Sequence, residues 1–232
     1  MSRFLITTLA LALVPCVASA DVIAEWDIAN ATGRSAQFIG GTEGVSGSDL
    51  TTHGLNTWNP RWGVRGLVAA RNWGRHDRAI PGKYVEFSVT GEEMTFESIT
   101  FALTRGNAGG GHGAESWALR SSVDGFSDDL AAVSLEGTGI DHQTIFEGLN
   151  ISALGTQSGT VTFRLYGYDN TSRRDYSGLV NAAPGTCGIR GRGSNVILHG
   201  DVGSIGGQAV PEPASMALFA TGGIAVLLRR KS

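Results

Sequence analysis

The strongest constraint on this chain is a two-residue hydrophobic rhythm that recurs between glycine-rich links. In Tyr84-Val85-Glu86-Phe87-Ser88-Val89, the apolar Val85, Phe87 and Val89 alternate with Glu86 and Ser88. Ile99, Phe101 and Leu103 alternate with Thr100 and Ala102, and Val161, Phe163 and Leu165 with Thr162 and Arg164. Successive side chains of an extended strand point to opposite faces, so each run buries one face and wets the other. Trp117-Ala118-Leu119-Arg120-Ser121 and Asn195-Val196-Ile197-Leu198-His199 repeat the theme. Before Ala214 no window sustains a helical period, and only Asp128 to Ala132 reads as a turn of helix. The chain has 34 glycines against 6 prolines, the composition of short strands joined by many turns. The pattern predicts an all-β fold, an antiparallel β-sandwich or jelly roll, without a fixed-period repeat.

Both ends stand apart from this rhythm. Met1-Ser2-Arg3 is a short positive start, the residues from Phe4 to Val14 are apolar, and Ala18-Ser19-Ala20 has the small-residue pattern that signal peptidase cleaves. Residues 1–20 are therefore expected to be a signal peptide engaging the Sec translocon, with cleavage before Asp21. Pro15 stands before Cys16 where a lipoprotein box needs a small residue, which argues against lipidation. At the other end Val210-Pro211-Glu212-Pro213 stays extended, because each proline fixes its own φ and pushes its predecessor out of the α region. The run 214–228 that follows is free of charge and ends at Arg229-Arg230-Lys231. As a helix it would span roughly 22 Å, short of the roughly 30 Å hydrocarbon core. Such a segment crosses only with bilayer thinning or snorkelling flanks, which suits a transient transmembrane anchor. The basic triplet is its cytoplasmic stop by the positive-inside rule.

The order Pro-Glu-Pro, apolar helix, basic tail resembles the PEP-CTERM sorting signal of bacteria that secrete extracellular polysaccharide. The resemblance covers residues 210–232 and implies recognition of Pro211, Glu212 and Pro213 by an exosortase, an integral-membrane cysteine protease. Residues 21–202 would then be an exported ectodomain, with 203–209 a Gly-rich linker. The strand runs named above, together with Ser121-Ser122-Val123-Asp124-Gly125-Phe126, are similar to the β-sandwich ectodomains common among proteins with this signal. Those domains often end in an Ile-Asp-Asn-Val type strand. Here Ser194-Asn195-Val196 lacks the aspartate. The resemblance implies a transient stay in the inner membrane, then the cell surface or extracellular matrix of a Gram-negative-type bacterium.

Charge and cysteine content narrow the chemistry. Of 18 lysines and arginines four lie in the two tags, while of 21 acids only Glu212 does, so the middle carries 14 basic residues against 20 acids. That balance makes nucleic acid an unsuitable partner. Cys16 leaves with the signal, and Cys187 alone cannot form an internal disulfide. The richest stretch runs from Trp58 to Arg78, where Trp58, Trp62 and Trp73 are interleaved with Arg61, Arg65, Arg71, Arg75 and Arg78. Aromatic faces stack on sugar rings and guanidinium forks bind hydroxyls or carboxylates, so Trp58, Arg61, Trp62, Trp73 and Arg75 are candidate contacts for an extracellular polysaccharide. The competing reading places the tryptophans in the core with arginines covering them.

Motifs for catalysis and cofactors are sparse. No Gly-x-Ser-x-Gly elbow or His-Glu-x-x-His helix occurs, the histidines are scattered, and Gly106-Asn107-Ala108-Gly109-Gly110-Gly111-His112-Gly113 lacks the lysine of a phosphate loop and reads as a flexible connection. Glu92-Glu93 and Asp128-Asp129 are adjacent acids of the kind turns expose. Asp169-Asn170-Thr171-Ser172-Arg173-Arg174-Asp175 offers oxygen ligands for a structural calcium, opposed by its two arginines. No cofactor and no catalytic site are therefore expected. The sequence predicts a non-enzymatic structural or glycan-contacting protein, with a polysaccharide hydrolase or lyase as the alternative.

Overall fold

A computed structural model of the chain describes residues 20–57, 67–73, 78–105, 107–108, 111–135, 139–169, 177–180 and 195–203. The organising element is β8 (Tyr84–Arg105), which joins the two runs at Val85 and Ile99 into one strand of 22 residues. It does not run straight. Inward residues are Val85, Phe87 and Val89 in its first arm, Met94 and Phe96 at its middle, and Ile99, Phe101 and Leu103 in its second. The face parity therefore changes twice, and each change marks an extra residue. One register shift lies opposite Gly91 to Met94, where Glu93 has φ of 50°, and another opposite Phe96 to Ser98. Such bulges bend and twist a strand.

The bend is large. Phe163 of β14 (Thr156–Tyr168) stacks on Phe87 at 5.4 Å and meets Phe96 edge-on at 5.7 Å. In a straight strand those two phenylalanines would stand roughly 30 Å apart. The two arms of β8 thus belong to opposite walls of one core.

The remaining strands close around that frame. β16 (Val196–Val202), β1 (Asp21–Asp27), β3 (Ser35–Gly41) and β5 (Leu50–His53) follow one another from the second arm of β8, and β5 pairs again with Tyr84, Val85 and Glu86 of the first arm. The result is a closed ring, an antiparallel sheet folded on itself, as the all-β expectation required. Beside the first arm lie β14, β11 (Ser116–Ser121) and the edge strand β12 (Ala131–Ser134); beside the second lies β13 (Gly139–Asn150). A smaller group, β2 (Thr32–Gly33), β6 (Asn56–Thr57), β7 (Leu67–Arg71) and β15 (Ser177–Val180), extends the second arm, with β2–β7 the one parallel ladder among the described strands. The core holds Trp26, Phe87, Phe96, Phe163, Met94, Trp73 and Trp117.

Two local expectations change. Asp128 to Ala132 is not helical: Leu130 N–H donates to the Leu119 carbonyl at 2.8 Å, and the chain runs into β12, paired to β11. A 3-10 turn forms instead at Ser122–Asp124, capped by the Ser121 hydroxyl. The glycine-rich stretch carries a small ladder between β9 (Asn107–Ala108) and β10 (Gly111–His112), so part of that connection is regular strand.

The first and last described strands are neighbours. Asp21 pairs with Gly200, and Gly203 N–H reaches the Glu93 carbonyl at 3.0 Å. Both ends of this domain, and the bend of β8, therefore lie at one end of the ring, here termed the tag end. β3 runs away from it, from Gly41 beside Ala24 back to Ser35 beside Thr51.

Candidate functional site

On the outer face of the first arm, strand register lines side chains into two cross-strand rows. Thr51, Glu86, Arg164 and Arg120 are successive Cα partners across β5, β8, β14 and β11. In the next row His53 pairs with Tyr84, and Tyr166 lies beside it with ring centroids 5.5 Å apart. Arg164 is the centre. Its Nε donates to Glu86 Oε2 at 2.8 Å, and its guanidinium is held between the Tyr84 ring at 4.3 Å and the Phe126 ring at 3.7 Å. Burial works against its charge, but the Glu86 carboxylate and the neighbouring tyrosines outweigh it, and its pKa lies above the ordinary arginine value. His53 stacks on Tyr84 at 5.0 Å, with Nε2 3.6 Å from Glu86 and 3.1 Å from the Thr51 hydroxyl. Arg120 lies over Tyr166 and pairs with Asp129 at 2.7 Å.

The turn after β11 supplies the lid over Arg164. Phe126 adopts φ of 64°, an uncommon conformation for a bulky residue, and its N–H donates to the Ser121 carbonyl at 2.8 Å and to Asp124 Oδ1 at 3.0 Å. Asp124 also accepts from Asp128 N–H at 2.9 Å and the Ser127 hydroxyl at 3.2 Å. The small desolvation of its carboxyl raises its pKa, yet these hydrogen bonds win and hold it below the ordinary value.

Beside this face opens a polar cleft of about 770 Å³. It lies where the β3–β5 ladder ends at Ser35 and Thr51. Arg34, Ser35, Thr51 and Thr52 form one side. Leu55, Asn56 and Arg71 also line it among the described residues, the last two being partners across β6 and β7. Arg34 and Arg71 are exposed.

Of the candidate polysaccharide contacts, Trp73 departs from the sequence expectation. Trp73 is 1% exposed, packs edge-on against Trp117 at 4.9 Å and donates Nε1–H to the Ala70 carbonyl at 2.9 Å. It is a core residue, and its ring offers no face to a sugar. The alternative drawn for the tryptophans describes Trp73 correctly. Trp58, Arg61, Trp62 and Arg75 lie outside the described residues, as do Cys187, Ala18, Pro211, Glu212, Pro213, Arg229, Arg230 and Lys231. Asp21, the expected first residue after cleavage, opens β1, and Val202, the expected domain end, closes β16. Of the calcium loop only Asp169 is described, and no group of three His, Cys, Asp or Glu suited to a metal occurs among the described residues. Asn195 accepts from Ile28 N–H and donates to Glu25, fastening the last strand to the first. The His53–Tyr84–Arg164–Phe126 constellation escaped the sequence reading. Its signal was the set of outward residues in the alternating runs, which only the register aligns.

Among the described residues no helix is long and apolar enough to cross a membrane; the run 214–228 lies outside them. An all-β domain whose described ends meet at one pole, followed in sequence by Val210-Pro211-Glu212-Pro213, an uncharged run and Arg229-Arg230-Lys231, has the plan of an exported protein that carries its own address. Residues 209–231 match the PEP-CTERM protein-sorting motif, which indicates an exported protein sorted by an exosortase and anchored in a membrane by its C-terminus before processing. No curated protein and no solved structure matches the chain.

Proposed function

We propose that the protein is a non-enzymatic component of the cell surface or extracellular matrix, whose β-sandwich ectodomain contacts secreted polysaccharide. On this reading the Sec translocon and signal peptidase handle residues 1–20, the inner membrane holds the chain transiently, and exosortase releases it at the 210–232 signal of a Gram-negative-type cell. The observation that carries the proposal is the union of a PEP-CTERM motif with an outer sheet face bearing aromatic rings and arginines. Rings and guanidinium groups are the surfaces that sugars recognise. The hydrolase alternative needs a pair of carboxylates free to act as acid and base. On this face Glu86 is tied to Arg164 and His53, and Asp129 to Arg120. Binding is therefore preferred to catalysis. The test is retention of the full-length protein on a glycan array that includes the host's own secreted polysaccharide, with reducing-end assays for cleavage. Retention without new reducing ends is expected. Release of shortened glycan would replace the proposal by the enzymatic reading.

A further inference from the structure

We infer that the Phe126 ring, on the turn between β11 and β12, is a stacking platform for a neutral β-linked pyranose chain, an inference that names the ligand class of the glycan-contacting reading above and rests on it. The first argument is the backbone. Phe126 holds φ of 64° directly after Gly125 at 72°. A left-handed conformation is a genuine outlier for a bulky side chain and persists only where its surroundings over-determine it. Here they do: the Phe126 N–H donates to the Ser121 carbonyl and to Asp124 Oδ1, and the Phe126 carbonyl accepts from Arg120 Nη1 at 3.3 Å. A glycine would make the same backbone hydrogen bonds without strain, so the turn keeps a ring where the backbone disfavours one.

The second argument is the support of that ring. One face of Phe126 lies on the Arg164 guanidinium, which lies in turn on Tyr84 and is fixed by Glu86. The ring is thereby held above the sheet instead of entering the core. Phe126 is only half-buried, and Val123 of the same turn is 47% exposed. An aromatic face already fixed in place loses little conformational entropy when the apolar C–H face of a pyranose stacks on it.

The third argument sets the ligand class. Asp124, Asp128 and Asp129 stand exposed in the same turn, and Arg120 and Arg164 are paired with Asp129 and Glu86. Exposed carboxylates accept hydrogen bonds from sugar hydroxyls and repel a uronate. From Arg164 toward the bend of β8 the outer face continues in hydroxyls. Ser88 is the Cα partner of Thr162, whose N–H donates to Ser122 Oγ, and the Thr90 and Thr160 hydroxyls meet at 2.8 Å. The strand from Arg164 to Thr160 makes this track about 14 Å long. Hydroxyls exchange hydrogen bonds with a sugar in either direction, whereas a protein hot spot is an anchor in a fully desolvated surround. One ring beside hydroxyls and carboxylates therefore suits a neutral sugar chain better than a protein partner.

The test is calorimetric titration of the full-length chain with cellohexaose, whose equatorial substituents leave C–H groups on both ring faces, and with hexagalacturonate. Cellohexaose is expected to bind, with a Kd that about 0.3 M salt changes less than about 2-fold, and hexagalacturonate not to bind. Phe126→Ala should raise the Kd at least about 10-fold, and Phe126→Tyr should keep it within about 3-fold. Ile39→Ala, at an exposed apolar side chain of β3, should leave it within about 2-fold. Should Phe126→Ala unfold, Phe126→Gly, which suits the left-handed backbone, gives the same readout. Absence of cellohexaose binding, unchanged affinity in the folded Phe126 variants, or preference for the uronate overturns the inference. So does self-association of the wild type that Phe126→Ala abolishes, which would make the ring a contact between copies. Retention on the glycan array that Phe126→Ala leaves undiminished sinks the platform alone; retention of no glycan by the wild type sinks the glycan-contacting reading with it.

Discussion

Single residues in this protein do their work by filling one narrow role. Gly200 of β16 sits opposite a bulge of β8, where a Cβ would collide with the Thr95 carbonyl of β8 and approach Ile23 Cδ1 at 2.8 Å. The obstacle is backbone in a paired strand, which cannot swing aside. Gly200→Ala should therefore destabilise the fold by about 1–3 kcal/mol in denaturant titration, as overpacking does; a change within error would show that the ladder yields. Asp124 acts through acceptance. Its lowered pKa means that its contribution is present above the ordinary carboxylate pKa and is lost as pH falls through the folded value. Stability of the Ser121–Asp128 turn should decline below about pH 4. Asp124→Asn, which keeps one acceptor oxygen without a titrating group, should flatten that limb of the pH–stability curve; superimposable acid limbs would count against the assignment. Arg105, by contrast, is nearly buried but tied to Glu115 at 2.9 Å and the Leu135 carbonyl at 3.0 Å, a role in joining strands.

At the scale of elements, β8 decides the architecture. Its alternating runs were legible in the residues, as were the strands at Trp117, Val161 and Val196. Their fusion was not, because two bulges shift the parity of inward residues and a period-two pattern interrupted in this way looks like separate strands. The position that reports the fusion is Phe163, held between Phe87 of one arm and Phe96 of the other. Phe163→Ala removes an aromatic contact to both walls at once and should cost about 3–5 kcal/mol by chemical denaturation. A loss below about 1 kcal/mol would mean that the arms pack without it. Asp128 to Ala132 reads in the sequence as a turn of helix. Pairing with β11 overrides it, since an edge of unpaired N–H and C=O groups is satisfied by one more strand.

The described domain is a sheet closed into a ring, with its first and last described strands together and its cleft and outer aromatic face at a distance from them. Residues 209–231, which follow the last described strand in sequence, match the PEP-CTERM sorting motif, and on the proposed reading the pole away from the described ends is the one that meets secreted polymer. Deleting residues 211–213 should leave the protein in the inner-membrane fraction with its 214–228 run uncut, measured by fractionation and intact mass. Normal release of that variant would remove the Pro-Glu-Pro strip from the recognition step. The address and the all-β class were legible because they are local: prolines, an apolar run, a basic triplet and alternation with period two each act on neighbouring residues. The candidate site was not. Trp73, rich in promise as a sugar platform, fills the core because β7 directs it inward against Trp117, while His53, Tyr84, Arg164 and Phe126 meet only when strands far apart in the chain come into register. Local patterns are written by adjacent side chains and survive in the one-dimensional order; which distant rows coincide depends on strand pairing and bulges, and that is settled only when the sheet closes.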